Sequence, residues 1–369
     1  MKILEIIPNL GSGGAERFTV DLCNEFASQG HDVQLVVLFP LDNPSHSFYL
    51  HEVDSRVQII SLNKKMGLDL SIYYKLSNVI RDFKPAVVHS HVRALFYLPF
   101  SVLRFHNKIK FFHTVHSDAA KEALGSNLDV WIRRIGFKKN YIKAITISPE
   151  SRQSFEKYYG ITAPMIYNGR NIPKDISICD DVKGIYNKLR VTPNTKIILN
   201  VAHIDKVKRQ NILARAITAL NNEGYDISLA LVGREEDSEI VNEIRVLGNP
   251  RINILGARTN PLEFMKAADA FCLSSQYEGL PISLIESLGV GTIPICTPVG
   301  GIKNLIIDGE NGFLSTDLSE ESIKNAIIRF LSVDNTQIDA LKANINKTYQ
   351  SFTMKDCAKA YESLFLKNS

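Results

Sequence analysis

The strongest constraint on the fold is a repeated alternation along the chain. Short runs rich in Val, Ile and Phe are each followed by a longer stretch with helical spacing of apolar residues. In the first half the strands are predicted at 2–7, 33–38, 57–60, 86–90, 110–115 and 142–147. The helices between and after them fall at 15–28, 70–83, 94–104, 127–139 and 149–158. Strands that alternate with helices build a parallel sheet, because each return to the same edge needs a crossover that covers a face. The expected class is therefore α/β.

The pattern stops and restarts. From about residue 164 the chain runs through MIYNGRNIPKDISICDD, which contains Gly169 and Pro173. Strands then recur at 196–201, 227–233, 252–256, 270–274 and 292–296, with helices at 207–222, 260–268 and 281–288 and a helical end over roughly 319–367. Two successive doubly wound, Rossmann-like domains are expected, 1–170 and 171–349, with a C-terminal helix at about 350–369 packing back on the first. The chain's 369 residues suffice for two such cores. Ligands of doubly wound sheets bind beyond the carboxyl ends of the strands, so two domains facing across a cleft are the expected arrangement.

Composition removes several classes. The 5 cysteines (Cys23, Cys179, Cys272, Cys296 and Cys357) are widely spaced and contain no C-x-x-C, so they are expected to be buried small hydrophobes. Glu5 and Pro8 interrupt the opening MKILEIIPNL, so no signal peptide is expected. The apolar segment 94–103 is short and holds Pro99, which argues against a membrane span. Net charge is +4, but residues 1–170 carry 21 Lys and Arg against 15 Asp and Glu, a surplus of +6. A basic first half suits a solvated surface or an anionic membrane.

EGLPISLIE (278–286) is the segment with most chemistry. Pro281 suits the first turn of a helix, which needs no amide donor there. Glu278 and Gly279 then lie in the loop before it, where helix-start amides favour anions. Glu286 falls about a turn and a half further on, where a carboxylate can accept from vicinal hydroxyls. The same pair also fits a charged surface with a helix-capping acid.

The surrounding run, 260–314, closely resembles the C-terminal signature of glycosyltransferase family 4, retaining enzymes of GT-B fold. The similarity extends over nearly the whole chain: GSGGAERF (11–18), VVHSH (87–91), HTVHS (113–117), ITISPES (145–151), IYNGRNI (166–172) and ALVGREED (230–237) stand in the family's order. The resemblance implies a nucleotide-diphosphate sugar as donor, UDP-sugar by default. Glu286 would bind the ribose hydroxyls. Glu278 would sit at the donor sugar and its phosphate, with Gly279 and Leu280 beside it. Gly14 would bring backbone against the diphosphate, and His116 would contact the donor sugar. His91 is a candidate on the acceptor side, whereas His89 and His113 read as packed, structural residues. Lys208 matches the family's diphosphate lysine. His203 stands where the family has an arginine, and Asn304 where it often has a glutamate. Lys206 and Arg209 read as solvated charges at a helix start.

Hexosyl transfer with retention is the expected reaction, with His116, Lys208 and Glu278 as its catalytic set. With Lys208 to meet the leaving diphosphate, neither metal nor cofactor is expected. The acceptor would be a glycan or lipid-linked glycan in polysaccharide or glycoconjugate biosynthesis. No nucleic acid is expected as a partner. An anionic membrane surface would be approached through Arg133, Arg134, Lys138, Lys139 and Lys143, by a cytoplasmic protein peripheral to the inner face. The alternatives are a nucleotide-sugar epimerase or hydrolase on the same fold, and a non-catalytic nucleotide-binding pair of domains.

Overall fold

The computed structural model describes residues 1–123 and 127–367. In chain order the first elements are β1 (Lys2–Ile7), α1 (Gly14–Ser28), β2 (Asp32–Val37), β3 (Gln58–Ser61), α2 (Ser71–Phe83), β4 (Val87–His91), α3 (Pro99–Phe105), β5 (Lys110–Val115), α4 (Ala119–Glu122), α5 (Asn127–Lys138), β6 (Lys143–Thr146) and α6 (Pro149–Tyr159). There follow α7 (Asp180–Leu189), β7 (Lys196–Val201), α8 (Gln210–Asn222), β8 (Ile227–Val232), α9 (Ser238–Val246), β9 (Ile252–Gly256), α10 (Pro261–Ala267) and β10 (Ala270–Leu273). The last are α11 (Ile282–Val290), β11 (Ile293–Cys296), α12 (Ile302–Leu305), β12 (Phe313–Leu314), α13 (Glu320–Leu331), α14 (Asn335–Tyr349) and α15 (Met354–Lys367). Two compact units result: Met1–Arg170 with the segment from Thr353 onward, and Asn171–Phe352.

In the first unit the parallel strands run in the order β3-β2-β1-β4-β5-β6. Strand side chains alternate between faces, so β1 serves two cores. Leu4 and Ile6 join Val36, Val88 and Phe111 against Ile72, Leu76 and Ile80 of α2. Glu5 points to the other face, in register with His89. That face is covered by α1 and α15: Phe18 of α1 lies 6.0 Å from Tyr361, and Phe112 of β5 lies 4.7 Å from Phe365. The last helix is tied down by Tyr361 Oη, 2.9 Å from Thr114 Oγ1, and by Lys110 Nζ, which donates to the Phe365 carbonyl at 2.8 Å. Gly169 lets the chain pass beneath it, since a Cβ there would lie 2.5 Å from the Thr353 carbonyl oxygen and 2.7 Å from Cys357 Cβ.

The second unit repeats the design in the order β12-β11-β10-β7-β8-β9. Its strands are nearly continuous runs of buried apolar residues, as in Leu229, Leu231, Ile198 and Phe271, because helices cover both faces. The α/β class and the two doubly wound units are those expected.

Boundaries moved where local chemistry overrode periodicity. The helix expected over 94–104 is a 3-10 stretch, Val92–Tyr97, followed by α3, which starts at Pro99. Proline lacks the amide a continuing helix would need. The helix expected from 207 starts at Gln210, because Arg209 takes the left-handed conformation, φ +55°. The expected helical tail divides into α13, α14 and α15, with Asp334 closing a capping box at the start of α14. Helices α7 and α9 were not expected; Asp237 caps α9 by accepting from the amides of Glu239 and Ile240. Four cysteines are buried, but Cys179 is exposed: it precedes the first turn of α7 instead of entering a core.

Candidate functional site

In the second unit the strand order reverses between β7 and β10, so the loops leaving these strands flank the crevice where such sheets take ligands. The two loops are laced together. Asp205 accepts from the amides of Val207 and Lys208, each at 2.8 Å, which folds the first loop into a tight turn. From the second loop, Ser274 Oγ donates to the Lys208 carbonyl at 2.8 Å and the Gln276 amide to the Val207 carbonyl at 2.7 Å. This lacing brings Lys208 Nζ to 2.7 Å from Glu278 Oε1, which also accepts from Ser275 Oγ at 2.6 Å. Burial alone would depress the Lys208 pKa, but the Glu278 charge outweighs it and raises the value, so the ammonium stays charged at neutral pH.

Gly300 carries the backbone beneath this loop. Its φ is +50°, and a Cβ there would fall 1.8 Å from the Glu278 carbonyl oxygen. The next amide, Gly301 N, donates to the Gly279 carbonyl at 2.7 Å. The loop of Glu278, Gly279 and Leu280 is thus shaped from below before any ligand arrives. Pro281 was expected inside the first turn; it is instead the N-cap of α11, extended at ψ 125°, and no side chain caps that end. Glu286 lies in the second turn of α11 and is buried.

His203 shares the loop after β7 but turns to α9's side of it. Its Nδ1 is 2.6 Å from Glu236 Oε1, a carboxylate that also pairs with Arg234. Lys206 is exposed and paired with Glu239, while Arg209 Nη1 donates to the Leu318 carbonyl at 2.8 Å. Asn304 is exposed on α12. Of the expected second-unit residues, the fold brings Lys208, Glu278, Gly279 and Leu280 together. It sets Glu286 on the following helix and directs His203 toward Glu236.

In the first unit the order reverses between β1 and β4. Gly14 opens α1 just beyond β1; its N-cap, Gly13, offers no side chain to the helix-start amides. His91 ends β4, and His116 follows β5. His91 Nδ1 lies 2.9 Å from His116 Nε2, and His91 Nε2 lies 2.8 Å from Glu5 Oε2. His89 reaches the same carboxylate at 3.0 Å. Burial and the neighbouring histidine push His91 down to about 4, and burial with three neighbouring histidines pushes His116 well below the usual imidazole range. Both rings are therefore neutral near pH 7. Glu5, though buried, is held down at about 2 by His89 and His91. Among the described residues, Glu5, His89 and His91 form the group whose donor atoms approach closely enough to hold a metal ion. Each of those ring nitrogens and carboxylate oxygens already has a protein partner.

One expectation for this unit fails. Arg133 was assigned to a basic contact patch, but it is fully buried on the inner face of α5. It pairs with Asp129 at 3.0 Å, one turn earlier on the same helix, and with Glu122 at 3.2 Å. Glu122 in turn accepts from His113 Nε2 at 2.8 Å and from the His116 amide at 2.9 Å. Arg134, Lys138 and Lys139 do face solvent. Glu5, Ser275, Glu122 and Glu236 were missed as site neighbours. Only Glu5 left a signal, as an acid inside an otherwise apolar strand run.

Two parallel, doubly wound units are the architecture of the GT-B fold. HepE from Anabaena, solved in complex with UDP and glucose, superposes with a TM-score of 0.81 at 19% identity, covering 99% of this chain and 99% of that one. The chain belongs to the family-4 type of glycosyltransferase: a model of Glycosyltransferase Family 4 matches residues 12–172, and one of glycosyl transferases group 1 matches 183–348. It is an enzyme of hexosyltransferase type. An uncharacterized glycosyltransferase of Haemophilus influenzae is 28% identical over 344 residues, with 88% of each chain covered. A Campylobacter jejuni relative is 24% identical over 375 residues, covering 97% of this chain and 95% of its own. That protein is named an N-acetylgalactosamine-N,N'-diacetylbacillosaminyl-diphospho-undecaprenol 4-alpha-N-acetylgalactosaminyltransferase.

Proposed function

We propose that this chain transfers a sugar from a nucleotide-diphosphate sugar, UDP-sugar favoured, to a glycan or lipid-linked glycan, with retention at the anomeric carbon. The Lys208–Glu278 pair at the switch point of the second sheet carries this reading. A leaving nucleotide diphosphate gains negative charge as the glycosidic bond breaks, and a preorganised cation stabilises that charge. Lys208 is such a cation, held in place by a carboxylate. Glu278 already accepts from Lys208 and Ser275, which suits a carboxylate that orients a sugar rather than one that attacks it. Glu286, on α11, is assigned to the ribose hydroxyls, and the uncapped starts of α11 and α1, near Gly279 and Gly14, to the phosphates. No metal or cofactor enters the scheme. UDP in the HepE structure supports the donor class, and the undecaprenol-linked substrate in the Campylobacter name supports the acceptor class. The test is acceptor-dependent transfer: sugar should move from a UDP-sugar to a lipid-linked glycan far faster than it is released to water. Release at full rate without acceptor would favour a hydrolase.

The acceptor side of this reading lies at an anionic membrane, with the protein at its inner face. No helix of the described residues is long and apolar enough to cross a bilayer. Instead α5 turns Leu128, Trp131 and Ile135 outward, 54%, 61% and 37% exposed, along one helical stripe. Arg134 and Lys138 are exposed beside them. Trp131 is the single tryptophan of the chain. An apolar stripe with an indole and flanking cations is the pattern of a helix that lies in the lipid interface. Sedimentation with phosphatidylglycerol-rich vesicles should show binding that weakens as salt rises. Trp131→Ser and Lys138→Glu should each weaken it, the latter roughly fivefold or more. Binding equal in all three proteins would count against this surface.

A further inference from the structure

We propose that Glu5 is a positioning residue: through His91 it holds the His116 ring in the tautomer whose Nδ1 is a bare hydrogen-bond acceptor, so that His116 recognises a hydroxyl group of the donor sugar. This rests on the reading that His116 meets that sugar.

An ionised carboxylate can only accept. Glu5 lies within 3.1 Å of His89 Nδ1 and 2.8 Å of His91 Nε2, so both nitrogens carry hydrogen. The other nitrogen of His89, Nε2, lies 2.7 Å from Thr114 Oγ1. Thr114 Oγ1 in turn lies 2.9 Å from Tyr361 Oη, and that branch ends there. In neutral His91 the bare nitrogen is Nδ1, and its neighbour at 2.9 Å is His116 Nε2. That bond needs a proton, so His116 is protonated at Nε2. Its Nδ1 is left without hydrogen and has no hydrogen-bond partner among the described residues.

The ring is also held against rotation. Its backbone amide donates to Glu122 Oε2 at 2.9 Å, and Phe18 packs edge-on with ring centroids 5.5 Å apart. The ionisable groups that face the network are Glu5 on β1, Cys23 on α1, His89 and His91 on β4, His113 on β5, Glu122 on α4, Arg133 on α5 and Tyr361 on α15. The Glu122–Arg133 pair balances itself, and burial pushes His91, His113 and His116 below the usual imidazole range. A bare imidazole nitrogen in such a setting suits a hydroxyl donor and offers nothing to a phosphate. A carboxylate in the middle of a central strand of a parallel sheet is costly to bury unless every lone pair is answered. Here the two imidazoles answer it and pass its orientation to His116 at the carboxyl end of β5, as outer partners do for other working histidines.

Glu5→Gln tests the chain of bonds. A glutamine amide that donates to His91 Nε2 would move the His91 proton to Nδ1 and force His116 into the opposite tautomer. Two-bond 1H–15N spectra of histidine-labelled full chain should show His116 protonated at Nε2 in the native protein and at Nδ1 in E5Q. With a series of deoxy donors, one hydroxyl should matter about 10–100-fold in kcat/KM for the native enzyme and less than about threefold for E5Q. A merely structural Glu5 would lower all donors alike. The proposal is overturned if native His116 carries its proton on Nδ1, if the tautomer is unchanged both in E5Q and in Glu5→Leu, which removes the acceptor altogether, or if the deoxy penalty survives the switch. The native spectrum alone decides the first point should E5Q fail to fold. Absence of acceptor-dependent transfer by the native enzyme would sink the proposed function instead, and leave the tautomer result standing.

Discussion

Lys208→Met is expected to lower kcat by about 10²–10³-fold, with kcat/KM falling at least as far. This is the usual cost of removing one preorganised group from developing negative charge. The ammonium is poised by Glu278 at 2.7 Å and by Asp205, which pins the turn through the amides of Val207 and Lys208. His203 cannot take over, because its Nδ1 is engaged by Glu236. Lys208→Arg should recover only part of the loss, since a planar guanidinium does not replace a point charge at this distance from Glu278. Steady-state kinetics with a UDP-sugar separate two cases. A rise in KM with kcat unchanged would mean that Lys208 binds ground state and transition state equally, and would remove it from the catalytic set.

Arg133→Met should destabilise the first unit by about 3–5 kcal/mol, because it leaves two buried carboxylates, Glu122 and Asp129, without their cation. For a unit of this size the unfolding midpoint should drop by on the order of 10 °C. Scanning calorimetry would check it. A drop of a degree or two would show that Arg133 is a surface charge after all. The loss should also loosen His116, whose amide rests on Glu122. Activity should therefore fall below the transition, where the mutant is still folded.

The fold was legible because parallel strands buried on both faces leave uninterrupted apolar runs. KIILNV and ISLALV name their own strands. Short helices were less visible: α9 depends on the Asp237 cap more than on periodicity. The second-unit site was legible through its order of motifs, yet the lacing by Ser274 and Ser275 was not, since hydroxyls give no spacing signal. Arg133 was misplaced because its basic neighbours concealed that it sits one turn from Asp129, on the buried face. Glu5 was read only as an acid that spoils a leader sequence. Its partner His89 is 84 residues away, and only strand register brings them together.

The central claim is that the poised Lys208–Glu278 pair serves transfer rather than hydrolysis or mere binding. The most direct measurement follows UDP release from a UDP-sugar by the full chain, with and without a lipid-linked glycan acceptor. UDP release should depend on acceptor, match the glycosylated product mole for mole, and disappear in Lys208→Met. Equal release without acceptor, or product formation unaffected by that substitution, would contradict it.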